Sequence, residues 1–188
     1  MTAPPPADIP HPDALGEAQD DPLVEALVED DAWGPEHALL PKAEAAAAAA
    51  LRAAGVDPAT VSVSMLFAGD EALARLNAAF RGRSAPTNVL SWPAFPLAPG
   101  APGARPPPPP LASTSGRTPI GDVALASGVV LAEAEARKLA VDAHVAHLIA
   151  HGVLHLLGYD HENDADAAVM EGLERVALAE LGIDDPHA

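Results

Sequence analysis

Hydrophobic and polar positions alternate from Thr60 to Phe67, TVSVSMLF, and the run is rich in β-branched residues, which predicts a strand. From Glu36 to Ala54 leucine and alanine positions favour a helix, entered after Gly34-Pro35 and closed by Gly55. A second helix is expected from Asp70 through Leu73, Leu76 and Phe80 to its stop at Gly82. Leu23 to Glu29 reads as a short strand, with one helical turn as the alternative, and Thr87 to Trp92 as a strand ended by Pro93. Ile120 to Ala126 reads as the next strand, with Ser127 as N-cap of a helix through Lys138. Asp142 is placed to cap the following helix. Asp164 is placed to cap the last, whose apolar stripe is Val169, Leu173, Val176, Ala177 and Leu181. Together these predict an α+β fold of mixed α/β layers: about four strands in a small mixed sheet, covered by about five helices, with a histidine-bearing helix at the centre.

Two stretches fall outside this pattern. Residues 1–21 hold five prolines and few large apolar residues, so a disordered acidic tail is expected ahead of a single domain over residues 22–186. Residues 94–119 carry prolines at 96, 99, 102, 106 to 110 and 119, and are expected to form a flexible insertion that stays out of the sheet, with polyproline II at the pentaproline. The chain has no cysteine, so thiolate metal sites and disulfides are excluded, in keeping with a reducing compartment. No run reaches the length of a membrane span and the N-terminus is acidic, so a soluble cytoplasmic protein with no membrane partner is expected.

The formal charge of −17 is unevenly spread. Met1 to Asp31 carries nine acids and no base, and Asp160 to Ala188 carries nine acids and one arginine. Ala72 to Gly121, in contrast, contains Arg75, Arg81, Arg83, Arg105 and Arg117 and no acid. A local positive surface of this kind is compatible with a phosphate backbone, which responds to charge within about 8 to 10 Å. Composition alone leaves open the alternative of ordinary solvated arginines.

Chemistry concentrates between His144 and His161, HVAHLIAHGVLHLLGYDH, where five of the eight histidines lie. His151, His155 and His161 form H-x3-H-x2-G-x2-H. On a helix the first two stand one turn apart on the same face, so both rings reach one ion. Gly158 sits where a left-handed C′ glycine turns the chain, which brings His161 back toward them. Three imidazoles with an open fourth position form the ligand set of a catalytic zinc site. Val145, Leu148, Ile149, Val153, Leu154 and Leu156 make the helix apolar nearly all round, so it is expected to be buried. His144 and His147 share the stripe and are given structural roles.

Such a site suits a peptidase or a nuclease. In HExxH peptidases the glutamate after the first histidine is the general base. Here that residue is Gly152, so a conventional peptidase is disfavoured.

The segments LNAAFRG, PTNVLSW, GDVAL and HLIAHGVLHLLGYDH, in that order, with MEGLE in the late acidic helix, resemble the YbeY family of endoribonucleases over roughly Leu23 to Pro186. The resemblance implies a metal-dependent, single-strand-specific endoribonuclease acting in rRNA maturation at the 3′ end of 16S RNA and in ribosome quality control. It implies the small ribosomal subunit and its proteins as partners, and His151, His155 and His161 as ligands of one Zn2+ or another divalent ion. His155 and Arg81 are the expected catalytic residues, and Arg81, Arg83 and Asn88 the expected RNA contacts. Arg81 matches the family's functional arginine, and a guanidinium offers paired donors to phosphate oxygens. Ser91 and Asp160 are lesser candidates, Ser91 for a hydrogen bond in the cleft and Asp160 for orienting a histidine. The chain departs from the family at Arg83-Ser84, where a basic and an acidic residue are usual, and in the length of its proline-rich insertion. The competing readings are a zinc metallohydrolase of another substrate class and a non-enzymatic assembly factor with structural zinc.

Overall fold

The alternating run becomes the strand β2 (Val61–Ala68), which turns Val61, Val63, Met65 and Phe67 into one buried face. The structure, a computed structural model, describes residues 21–111 and 116–186; the tail expected over residues 1–21 lies outside these except for Asp21. With β1 (Val24–Val28), β3 (Val89–Pro93) and β4 (Thr118–Ala126), β2 forms a four-stranded sheet in the order β1-β2-β4-β3. The pairs β1-β2 and β2-β4 are parallel, and β3 runs antiparallel to β4 at the edge. Five helices cover it: α1 (Glu36–Ala54), α2 (Asp70–Arg81), α3 (Ser127–Arg137), α4 (Val141–Leu156) and α5 (Asp164–Glu180). This is the expected α+β fold with the histidine helix at its centre.

The sheet divides two cores. On one face α1, α4 and α5 bury Leu51, Phe67, Ile149, Leu154 and Leu178 in the larger cluster. On the other, α2 covers Leu73, Leu90, Ala124 and Ala126 in a smaller one. The run Ala43 to Ala50 serves close packing: small side chains let α1 approach α4 and α5 with Ala46, Ala47, Ala49 and Ala50 fully buried.

Several local expectations are corrected. β4 begins at Thr118, so Thr118 and Pro119 do pair in the sheet, opposite Val61 and Ser62. Proline's φ suits an extended chain, and the one ladder bond it forfeits falls beside a register shift at Ser62–Ser64. β3 starts at Val89 because the Asn88 side chain accepts the Val89 N–H at 2.7 Å. None of the three expected caps holds. Ser127 lies inside α3 and gives its hydroxyl proton to Asp30, a bond that lowers the Asp30 pKa. The α3 terminus is capped from another helix instead, the Asp70 carboxylate accepting the Val129 N–H at 3.1 Å. Asp142 is the second residue of α4 and pairs with Lys42 at 2.6 Å. Asn163, one residue before Asp164, caps α5 by accepting the Asp166 N–H at 3.0 Å.

Residues 94–111 lie against the domain. Gly103 N–H donates to Asp166 at 2.6 Å, and Arg105 and the prolines at 106–109 line a small hollow with Leu157 and Tyr159. Among the described residues no single helix is long and apolar enough to cross a membrane.

Candidate metal centre

α4 carries the site because it is held on all but one face, packed on α1, α3, α5, β3 and β4. Its residues Val145, Leu148, Ile149, Val153, Leu154 and Leu156 are buried, as the all-round apolar pattern predicts. The histidine stripe emerges along the remaining face, with the His151 and His155 ring centroids 4.5 Å apart.

α4 ends as Gly158 takes φ +83°, a left-handed conformation that glycine adopts without strain. A side chain there is also excluded by space, since a Cβ would stand 2.6 Å from Leu97 backbone atoms. Gly158 N–H donates to the His155 carbonyl at 3.0 Å and Tyr159 N–H to the Leu154 carbonyl at 3.1 Å. The chain thereby doubles back and sets the His161 ring 5.3 Å from His151 and 5.2 Å from His155. Asp160 closes this turn by accepting the His161 N–H at 2.7 Å, so it positions His161 through the backbone.

The three histidines offer ligand nitrogens that all lie within 4.8 Å of one another, close enough for one ion to bridge. Their hydrogen bonds set the tautomers. His155 Nδ1–H donates to the Tyr159 carbonyl at 2.9 Å, and His151 Nδ1–H to the Glu174 carboxylate at 2.7 Å. Both Nε2 lone pairs are then free, and they face each other at 3.0 Å. Two acceptors at that distance need a shared proton or a cation between them. The donor set therefore fits a divalent metal, and this group of three histidines could hold one. Zinc, copper, nickel and iron all accept imidazole.

Burial, then the positive charge that His151 and His161 would carry, push His155 down to about 4. The sign follows from proton counting. Between pH about 6.5 and about 4 the unfolded chain binds a proton at this ring that the metal-free folded chain refuses, so stability falls as pH falls. Metal-free protein is expected to lose at most about 3 kcal/mol across that window from this group. Thermal denaturation in chelator at stepped pH measures it; a flat profile through the window would contradict the assignment.

Two carboxylates that the sequence reading did not place complete the surroundings. Glu174 of α5 is only 2% exposed and divides its oxygens, one to His151 Nδ1 and the other to His147 Nε2 at 3.1 Å. Glu133 of α3 accepts from His144 Nε2 at 2.8 Å and from Asn88 Nδ2 at 3.0 Å. Thus His144 and His147 are supporting members of the stripe, as read. A cleft of about 540 Å³ runs beside the metal centre, lined by Asn88, Glu133, Arg137, His151, His161 and Glu171 among others.

Of the expected RNA contacts, the structure brings only Asn88 into this cleft, anchored by Glu133. Arg81 is the last residue of α2 and Arg83 follows Gly82; both are exposed, and neither lines the cleft. Their side chains make no hydrogen bond or ion pair with the described residues. Asn77, which donates to the Ala85 carbonyl at 2.7 Å, secures the segment that leads from Arg81 to Asn88.

Gly152 has a steric reason. A Cβ at this position would meet Val123 Cγ1 at 2.9 Å and Ser91 Oγ at 3.2 Å, so α4 presses its backbone onto β3 and β4 here. Ser91 is a packing neighbour of α4 in this contact. No room exists for the glutamate of a peptidase. Gly152→Ala is expected to overpack the contact and destabilise the fold by about 1 to 3 kcal/mol, against a gain of about 1 kcal/mol in helix propensity. Urea denaturation decides the balance; a net stabilisation would show that the strands yield.

A buried helix presenting three convergent histidines that could hold a metal ion, beside an open cleft and with glycine where a peptidase has its glutamate, belongs to an α+β protein with a site of hydrolase type. A profile of the endoribonuclease YbeY family matches residues 30–182, and the chain belongs to that family. It is 46% identical to endoribonuclease YbeY of Ruegeria pomeroyi over 164 residues, 87% of this chain and 97% of that one. It is 48% identical to the endoribonuclease YbeY of Dinoroseobacter shibae, covering 89% of this chain and 93% of the other. With the Paracoccus denitrificans protein of the same name identity is 43%, over 94% and 97% of the two chains.

Proposed function

We infer that the protein is a zinc-dependent, single-strand-specific endoribonuclease that matures the 3′ end of 16S rRNA in the cytoplasm and serves ribosome quality control on the small subunit. The observation that carries this reading is the convergence of His151, His155 and His161, with no fourth protein ligand among the described residues grouped with them. Structural zinc sites are closed by four protein ligands, so a three-histidine set supports catalysis over a purely structural role. Family membership supports RNA as the substrate.

His151, His155 and His161 would hold the ion, with Glu174 and the Tyr159 carbonyl fixing the first two rings. When bound, zinc supplies Lewis acidity toward a phosphoryl oxygen and acidifies water near it. Arg81, whose donors are committed to no described residue, binds the phosphate and stabilises the charge that grows on it during cleavage. Arg83 adds charge attraction to the backbone, and Asn88, at the cleft wall, positions the strand.

Cleavage of a labelled single-stranded rRNA fragment, run alongside metal analysis, tests the assignment. Wild type should hold about one zinc and stop cutting on chelation. Arg81→Ala should keep its zinc and lose about 100-fold or more in cleavage rate. Undiminished cutting by Arg81→Ala removes its catalytic role, and cutting that survives complete chelation removes the metal from the mechanism.

A further inference from the structure

The cleft is longer than the metal centre alone requires. His144 precedes His151 by seven residues on α4, so the two lie about 10 Å apart along the helix axis, and both line the cleft. At the His144 end the wall is built around Glu133. Its Oε2 accepts from His144 Nε2 at 2.8 Å and from Asn88 Nδ2 at 3.0 Å. Its Oε1 receives from the described residues only the longer contact of Asn88 Nδ2, at 3.2 Å. His144 is 3% exposed and its Nδ1 has no partner among the described residues, so the one hydrogen bond of its ring goes to Glu133. Asn88 is fixed in turn, its Oδ1 accepting the Val89 N–H at 2.7 Å. Two side chains thus hold a carboxylate whose residue still has 37% of its side chain exposed and lines the cleft. A fixed carboxylate with an acceptor position open on Oε1 is a place for an N–H donor from outside the chain.

The rest of the cleft limits what that donor belongs to. Its volume of about 540 Å³ is that of a small-molecule pocket. Val89, Ala136 and Leu148 add apolar surface next to Glu133. The carboxylates of Glu133, Glu171 and Glu174 stand against one guanidinium, that of Arg137, whose Nη2 donates to the Pro186 carbonyl at 3.1 Å. Away from the ion the cleft therefore repels a phosphodiester and accepts an uncharged group with N–H donors. A nucleobase is such a group, and the unstacked bases of single strands are read on their Watson–Crick edges. Adenine, cytosine and guanine carry an exocyclic amino group there. Uracil carries one N–H between two carbonyl oxygens, which a carboxylate repels.

We propose, on the endoribonuclease reading above, that this end of the cleft is a base-reading subsite for a nucleotide beside the scissile phosphate, in which Glu133, held by His144 and Asn88, accepts from the amino group of adenine, cytosine or guanine and disfavours uracil. The phosphate sits at the three histidines, and its base reaches along α4 to Glu133.

Nucleoside monophosphates test the subsite with no internucleotide bond to cut. Of the three methionines, Met170 lines the cleft, whereas Met65 is buried in β2. Zinc-loaded full-length protein, its methionines labelled at the methyl carbon for NMR, is titrated with the 3′- and 5′-monophosphates of all four ribonucleosides and with ribose 5-phosphate. In the series that matches the bound side of the scissile phosphate, the Met170 signal should move saturably and the Met65 signal should stay. The adenosine, cytidine and guanosine forms should bind about tenfold or more tighter than the uridine form. Glu133→Gln keeps an oxygen for His144 and Asn88 and turns an amide N–H to the base, so it should weaken the three amino bases and cut that ratio to about twofold or less. Thermal melting confirms that the variant is folded, and the wild-type ratio is a test by itself. A uridine form that binds wild type as tightly as the others overturns the proposal. So does a Met170 signal that moves no further with nucleotide than with ribose 5-phosphate. Equal weakening of all four nucleotides by Glu133→Gln overturns it as well, and reduces Glu133 to a support for Asn88. Base discrimination by a protein that cuts no RNA would keep a nucleotide site and remove the nuclease reading; RNA cleavage without discrimination would do the reverse.

Discussion

His155→Ala is expected to lose bound zinc and all measurable RNA cleavage while keeping its fold. His155 gives the site two things: one of three ligand nitrogens, and a ring locked by its bond to the Tyr159 carbonyl at 2.9 Å. With two imidazoles left, an ion retains too few protein ligands to compete with water and buffer, so affinity should fall by several orders of magnitude. The stability of the metal-free protein should change by only about 1 kcal/mol. The lost hydrogen bond is offset in part by relief of the two Nε2 lone pairs that face each other at 3.0 Å. Metal content after dialysis, circular dichroism and cleavage of single-stranded RNA measure the three quantities. A folded His155→Ala protein that still binds one equivalent of zinc and cuts would dismiss this histidine set as the active centre.

The ligand set was legible in the sequence because every step depends on local geometry. Four-residue spacing puts two rings on one face of a helix, and a glycine three residues further on turns the chain. The four strands and five helices were legible for the same reason, since each carries its own periodicity. Two of the caps were not, because tertiary partners intervene: Asp70 reaches α3 from α2, and Lys42 takes Asp142 from a helix 100 residues away, whereas at α5 the cap is the neighbouring Asn163. Glu174 and Glu133 were not assigned either. In an acidic C-terminal segment one more glutamate looks like solvated charge, yet Glu174 shares the stripe of Met170, Leu173 and Ala177, all of them buried. A carboxylate at a core position of an amphipathic helix, in a chain with a histidine cluster, was the available signal. That Arg81 ends α2 was legible from Gly82, but its position outside the histidine cleft depends on how α2 packs on the sheet, which no local pattern encodes.

Glu174 supports the second large prediction. At 2% exposure its carboxylate survives burial because each oxygen accepts from an imidazole, His151 at 2.7 Å and His147 at 3.1 Å. The negative charge holds the proton on His151 Nδ1 and so leaves Nε2 as the ligand atom. Glu174→Gln keeps the volume and one acceptor but turns an amide N–H toward an imidazole N–H, so one ring must flip or change tautomer. Zinc affinity should drop about 10- to 100-fold, as for other carboxylates that orient a ligand histidine, with cleavage restored at high zinc. Glu174→Ala removes both acceptors and leaves two imidazole N–H groups buried against a void, so it should also destabilise the metal-free protein by about 3 kcal/mol. Competition with a chelator of known affinity and denaturation in its excess separate the two effects. If Glu174→Gln binds zinc as tightly as wild type, the carboxylate is structural, and His151 owes its ligand tautomer to something else.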